Sequence, residues 1–333
     1  MHKNSIGITL VVLLVAILGS VGLFAQGTTE SVEGIVWPDK ADLFVGFSQA
    51  DLSSTWRTVE SENMKEEAEK RGYEIAITNA EGDQEKQISN VESLLAQGCN
   101  VMVIVAIDAD GIQPALDACR EKNVPVIMKA RGSNGTPGVD FVTQIMSDFV
   151  FEGQTAGEWI DAAVTKKGLS TVNIAEIQGV IGGSDVRDRS QGFHNVIDKD
   201  PKYNLVSQQS ANWSRSEAQE LAQNIIQATN GNIDAIYCHN DEMALGVSTA
   251  LQAAGLVINE DVFLVGVDGM LEAFDAIKSG KLSATVTCSP KYADTVFDTI
   301  ENGIAGKEIP SNIAVSDKLV DSTNVDEYYY LGF

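Results

Sequence analysis

The chain has 333 residues, too many for one ordinary core, so two domains are the first expectation. Hydrophobic residues make up 44% and charged residues 21%, as in water-soluble globular chains. The formal charge of −24, from 47 acidic against 23 basic residues, argues against a nucleic-acid partner, because phosphate contacts need a basic face; the acidity serves solubility.

Met1-His2-Lys3-Asn4 is a short basic start, Ile6 to Phe24 is strongly apolar, and Ala25 offers a cleavage site before Gln26. Residues 1–25 therefore read as a secretory signal peptide, and the mature protein is expected in the periplasm. An uncleaved anchor is the alternative, since the apolar run is long enough to span a bilayer. No Cys follows the run, so it is not a lipoprotein signal. Residues 26–41 have no apolar period and read as a flexible lead-in.

Short apolar runs then occur at Leu43–Phe47, Ile75–Thr78, Val101–Val105 and Val124–Met128. Amphipathic stretches near Thr58–Arg71, Gln84–Gln97 and Ile112–Lys122 separate them, with stop signals at Arg71-Gly72 and Gln97-Gly98. Such alternation predicts a parallel sheet with helices on both faces, whose ligands bind beyond the carboxyl ends of the strands. The first run ends at Ser48, a turn residue or a ligand contact, and is followed by Trp56-Arg57 at a helix start. An exposed Trp56 costs apolar area unless it packs on something. A flat, partly apolar ligand face would serve, and packing under a loop is the alternative. The third run ends at Ile107-Asp108-Ala109-Asp110 and the fourth at Lys129-Ala130-Arg131. Arg131 presents a planar fork suited to vicinal hydroxyls. Asp108 or Asp110 could accept from the same hydroxyls, or simply pair with Arg131 at the rim.

After Ser147 the pattern restarts. Runs at Val172–Ile177, Leu205–Val206, Ala235–Tyr237 and Phe263–Val267 alternate with helices near Glu152–Val164, Asp188–Ile197, Ser216–Ala228 and Met243–Ala254. Gly182-Gly183-Ser184-Asp185 matches neither dinucleotide nor phosphate-loop spacing, so a nucleotide site is rejected. Arg189, one turn into the next helix, is the better candidate. Asn212-Trp213 precedes a helix start marked by Ser214 and Glu217 at capping-box spacing. Trp213 thus repeats the position of Trp56, and two tryptophans from two domains could clamp a ring. Asn240 and Asp268 stand at the ends of the last two runs, where they could meet a polar ligand.

A third block, Ser283–Thr287 with a helix at Tyr292–Ala305, fits neither half by sequence order. Its simplest place is back on the first half, so the chain would cross between domains more than once and form a hinge. Of four cysteines, Cys99 and Cys119 flank one strand–helix return and could form a disulfide; four unpaired buried thiols are the alternative. The three histidines, His2, His194 and His239, lack metal spacing, and no nucleophile elbow is present. No catalytic set, metal or cofactor is expected, and an enzyme acting on a sugar is the weaker reading.

Taken in order, these residues resemble a known family, the periplasmic sugar-binding proteins of ABC importers of type I fold and the ribose/galactose kind. The galactofuranose-binding group is the most similar branch. The motifs are Val45-Gly46-Phe47-Ser48-Gln49, Trp56-Arg57-Thr58-x-Glu60, Ala68 to Gly72, Ala96-Gln97-Gly98 and Val124-Pro125-Val126. Arg187-Asp188-Arg189-x-x-Gly192-Phe193, His239 to Met243 and Val267-Asp268-Gly269 complete them. The resemblance runs from about residue 42 to the C-terminus. It implies sugar contacts at Trp56, Arg57, Arg131, Arg189, Trp213, Asn240 and Asp268. It also implies domain exchange near Ser147, Cys288 and Leu319, giving lobes of 42–146 plus 289–318 and 147–288 plus 319–333. Two departures stand out: the family usually has Asp-Arg where this chain has Ala130-Arg131, and ribose binders have Gln where Cys288 stands. Asp108 or Asp110 is the candidate substitute for the missing carboxylate. The implied function is a monomeric binding protein that closes on a monosaccharide and hands it to an ABC permease. Docking on a chemoreceptor or sensor kinase, or binding of a non-sugar polyol, are the alternatives. A repressor of related fold would need an N-terminal helix-turn-helix where the signal stands.

Overall fold

The computed structural model describes residues 36–333; the signal peptide expected at 1–25 and most of the lead-in lie outside the described residues. In chain order the first half contains β1 (Phe44–Gln49), α1 (Thr55–Arg71), β2 (Glu74–Asn79), α2 (Gln84–Gln97), β3 (Val101–Ile104), α3 (Gln113–Glu121), β4 (Val126–Lys129) and β5 (Thr143–Ser147). Next come α4 (Phe149–Lys167), β6 (Val172–Gln178), α5 (Ser184–Ile197), β7 (Tyr203–Ser210), α6 (Arg215–Ala228), β8 (Ala235–Cys238), α7 (Asp241–Ala253), β9 (Phe263–Asp268), α8 (Leu271–Lys278) and β10 (Ala284–Thr287). The chain ends with α9 (Ala293–Ile304), β11 (Asn312–Val315), β12 (Leu319–Asp321) and α10 (Val325–Tyr328).

Two six-stranded sheets result, ordered β11-β5-β4-β3-β1-β2 and β12-β10-β9-β8-β6-β7. Every strand pair is parallel except β10–β12. Parallel strands joined by helices are covered on both faces and therefore apolar on both. In β3, Val101 and Val103 join one core while Met102 and Ile104 join another. In β8, Ala235 and Tyr237 separate from Ile236 and Cys238 in the same way. Helix ends follow side-chain chemistry. Ser54, Asp83, Asp148, Ser214 and Asn240 each accept an N–H of the first turn, and the expected stops at Gly72 and Gly98 adopt φ of 76° and 96°.

The chain passes between the sheets at Ser147–Phe149, Thr287–Ala293 and Val315–Leu319. One expectation is corrected here. The strand expected to return to the first sheet, β10, pairs with β9 and β12 in the second; only the helix after it returns. There α9 meets α1, with Phe297 stacked on Tyr73 at 5.9 Å and Arg71 bonded to Asp298 at 2.7 Å. A β10 of four buried residues carries no mark of which sheet it joins; register with Val265–Asp268 decides. β5, β11, β12, α8 and α10 had not been expected: the three strands are short and only partly buried, so little apolar period shows. The Cys99–Cys119 bridge is also corrected. Both side chains enter one core beneath the first sheet, but all four cysteines are free thiols. Burial pushes the thiols up to about 11 at Cys99 and about 12 at Cys119, which keeps them protonated and unreactive.

Candidate ligand-binding site

A cleft with about 650 Å³ of space, part of it open to solvent, is lined from both sheets. The first sheet supplies its floor through α1. The Ser54 hydroxyl accepts the Arg57 N–H at 3.3 Å and starts the helix, so Trp56 and Arg57 stand in its first turn beyond β1. The Trp56 indole donates to the Cys288 carbonyl at 2.6 Å, which ties this wall to the second crossing. Arg57 lies over the Trp56 ring at 4.7 Å and donates to Glu60 at 2.9 Å.

Glu60 is fully buried and also accepts from Lys129 at 2.7 Å and Gln49 at 3.0 Å. Burial pushes its carboxyl up, but the charges of Lys129 and Arg57 outweigh that and hold it below the usual range. Lys129 packs its ammonium 3.7 Å from the Tyr292 ring centroid, so this buried cation has both a counter-ion and an aromatic face. The effect is to fix the Arg57 guanidinium before any ligand arrives.

β4 is followed by Ala130, whose φ of 60° is unusual for a residue with a Cβ. That turn aims Arg131 into the cleft, where its Nε lies 3.1 Å from Asp185 on α5 of the other half.

The second sheet builds the opposite wall. Asn240 caps α7 by accepting the Met243 N–H at 2.9 Å, which leaves its amide NH2 for the cleft. Arg189 donates to Glu152 at 2.6 Å and to the His239 carbonyl at 2.7 Å. Its Nη2 lies 3.9 Å from Asp268. Asp268 sits at φ 129°, a strained position for a non-glycine residue, and such strain is tolerated where the surroundings hold it. The turn behind it is held by Asp241, which accepts the N–H groups of Gly269 at 2.8 Å and Met270 at 2.9 Å. Burial pushes the Asp268 carboxyl well above its usual value, against the pull of Arg189. A hydroxyl donated to its carboxylate would relieve that burial cost.

Trp213 closes this wall at φ 63°, next to Asn212 at 52°. Its ring packs flat on Gly179, where a Cβ would fall 2.0 Å from Cζ2, and lies 5.8 Å from the Arg189 guanidinium. Below it Glu176 is buried and bonded to His239 at 2.8 Å, His194 at 3.1 Å and Gln208 at 2.7 Å, a network that fixes the loop carrying Asn240.

Seven of the residues picked from the sequence thus line one cleft: Trp56, Arg57, Arg131, Arg189, Trp213, Asn240 and Asp268. Three do not. Ser48 is fully buried inside β1, one residue short of the strand end at Gln49, and does not reach the cleft lining. Asp108 accepts the N–H groups of Asp110 at 3.1 Å and Gly111 at 2.6 Å, and Asp110 accepts from Asn134 at 2.9 Å. Both carboxylates are exposed and committed to their own loops, so neither replaces an acceptor at position 130. Sequence reasoning missed Asp185, Asp51, Phe149 and Tyr292 as lining residues. Asp185 had a visible signal, a carboxylate in a glycine-rich helix start; Phe149 and Tyr292 lie on crossing segments and had none.

The fold has counterparts in known proteins. A family model described as periplasmic binding protein domain matches residues 45–308. The galactofuranose-binding protein YtfQ of Escherichia coli (strain K12) is 32% identical over 83% of this chain and 86% of its own length. The ribose import binding protein RbsB of Bacillus subtilis (strain 168) is 32% identical over 84% of this chain and 88% of its own. A solved structure, the binding component of the arabinose ABC transporter of Shewanella sp. ANA-3 bound to α- and β-L-arabinofuranose, superposes with a TM-score of 0.80. It is 33% identical and covers 86% of this chain and 94% of that one.

Proposed function

The chain belongs to the periplasmic binding protein domain family, and on that premise we propose that it captures one monosaccharide between its sheets and delivers it to an ABC permease. The observation that carries this is the composition of the cleft. Two tryptophans from opposite sheets offer apolar faces, while Arg57, Arg131, Arg189, Asn240 and Asp268 offer fixed donors and an acceptor around them. A sugar needs that combination, because its C–H faces pack on aromatic rings while its hydroxyls require polar partners at the rim. Each lining arginine already has a carboxylate partner, Arg57 with Glu60, Arg131 with Asp185 and Arg189 with Glu152, which suits a neutral ligand.

The lobes are taken as 42–146 plus 289–318 and 147–288 plus 319–333, moving about the three crossings. Closure follows from contacts that form only when both lobes touch the sugar. The protein works outside the cytoplasmic membrane as a monomeric receptor and catalyses no reaction. Each relative named above carries a binding rather than a catalytic name.

The test is a thermal-shift screen of residues 26–333 against galactose, arabinose, ribose, xylose, glucose and a methyl galactofuranoside. Ligand at 100 times its dissociation constant adds about 2.7 kcal/mol to stability, a shift of several degrees. No shift with any of them, in protein shown free of carried-over ligand, would refute the sugar reading.

A further inference from the structure

Position 130 offers the cleft a methyl group and no acceptor, although the neighbouring Arg131 presents a full fork of donors. Among the described residues no carboxylate of the first half bonds Arg131. Glu60 is committed below to Lys129, Arg57 and Gln49, and Asp51 turns one oxygen back to the Ser53 N–H at 3.0 Å and hydroxyl at 2.6 Å. The carboxylate that reaches Arg131 comes across the cleft from α5. We propose that Asp185 is a specificity-determining ligand residue, supplying from the second lobe the hydroxyl acceptor that Ala130 does not supply from the first. The inference rests on the sugar-binding reading above and names the part of the sugar it recognises: a pair of neighbouring hydroxyls.

The local structure is built around this side chain. Asp185 is buried, and its Oδ1 accepts the Val186 N–H at 3.0 Å, which fixes the carboxylate plane. Gly183 makes room for it, since a Cβ there would fall 2.2 Å from Oδ1. The carboxylate lies in the first turn of a 14-residue helix, whose free N–H groups favour a negative charge. Burial pushes it up, but Arg131, Arg189 and Arg57 converge on it and hold it ionised. Its Oδ2 meets only Arg131 among the described residues, and Arg131 uses only Nε. A vicinal diol placed between them would accept from the two terminal Arg131 nitrogens and donate to Oδ2. Donor and acceptor belong to different lobes, so the diol is fully satisfied only in the closed form. A ligand lacking one hydroxyl would leave part of a buried ion pair without its partner.

Calorimetric titration of residues 26–333 tests this with the sugars of the screen above, on the unmodified protein, Asp185→Asn, Ala130→Asp and the double variant Ala130→Asp/Asp185→Asn. For whichever sugar binds the unmodified protein, Asp185→Asn should weaken binding about ten- to a hundredfold, the scale of one hydrogen bond to a charged group. The double variant, which returns a carboxylate to the first lobe, should regain most of that loss. A purely structural role for Asp185 would not be rescued from position 130. Asp185→Asn binding within twofold of the unmodified protein overturns the proposal, and so does a double variant as weak as the single one. Should Asp185→Asn melt far below the unmodified protein, Asp185→Ser is titrated in its place under the same criteria. If no sugar binds the unmodified protein, the sugar reading itself fails and this inference falls with it.

Discussion

Gly179 makes no contact proposed for the ligand, yet Gly179→Ala should damage binding. It follows β6 directly and forms the bed of the Trp213 ring. A methyl group there would stand 2.0, 2.1 and 2.3 Å from Cζ2, Cε2 and Cη2 of Trp213. Carbon atoms pack at about 3.5–4.0 Å, so the ring must retreat by roughly 1.5 Å. Its backbone, held at φ 63° between Asn212 and the cap of α6, gives little, and the open direction is the cleft. Overpacking of this kind costs about 1–3 kcal/mol if the ring is forced back. If the ring stays displaced, its face no longer meets the ligand, a loss of about 1 kcal/mol. The cheaper route sets the result, so affinity should fall about fivefold or more. Trp213→Ala, which removes the ring entirely, should cost more than tenfold. Titration calorimetry with the sugar that binds the unmodified protein measures both. Gly179→Ala affinity within twofold of the unmodified protein, with the Trp213→Ala loss intact, would refute the packing argument. No loss in either variant would remove Trp213 from the site.

Other substitutions probe the remaining parts. Asp268→Ala should weaken sugar binding more than tenfold in the same titration, because ligand hydroxyls would lose a buried acceptor; unchanged affinity would place Asp268 outside the contacts. Glu60→Leu should lower the unfolding free energy by about 3–5 kcal/mol in a denaturant melt, since it leaves Arg57 and Lys129 as buried cations without their counter-ion. A loss below about 1 kcal/mol would show that the two cations find other partners. At the third crossing, burial above all and the Glu152 charge push Asp317 up to about 8, despite a 3.3 Å bond from Thr287. Unfolded, the group titrates near 4. Between about pH 4 and 8 the folded state keeps a proton that the unfolded state releases, so this group makes stability fall as pH rises through that window. Asp317→Asn removes the slope, and its stability relative to the unmodified protein should improve between pH 5 and pH 8; an equal difference at both pH values would refute the burial argument.

Much of the fold was legible because the signal is local. The apolar runs of β1 to β4 and β6 to β9, the amphipathic helices between them, and the stops at Gly72 and Gly98 are set by period and by backbone preference. Strand ends then pointed to Asn240, Asp268 and Arg131, since in a parallel sheet every strand delivers its last residue to the same edge. The tertiary structure decided what periodicity does not carry. A strand as short as β10 holds no record of which sheet it joins; the pairing of Ala284–Thr287 with Val265–Asp268 settles it. Ser48 lies inside β1 and is buried there, whereas Asn240 stands two residues past β8 as the cap of α7, where the cleft begins. Asp108 and Asp110 also lie beyond a strand, but their backbone turn claims the carboxylates first. The family resemblance marked Ala130 as the place of a missing carboxylate beside Arg131. It could not show that Asp185, 54 residues further along, stands 3.1 Å away across the cleft, because that distance depends on how two separately folded sheets face one another.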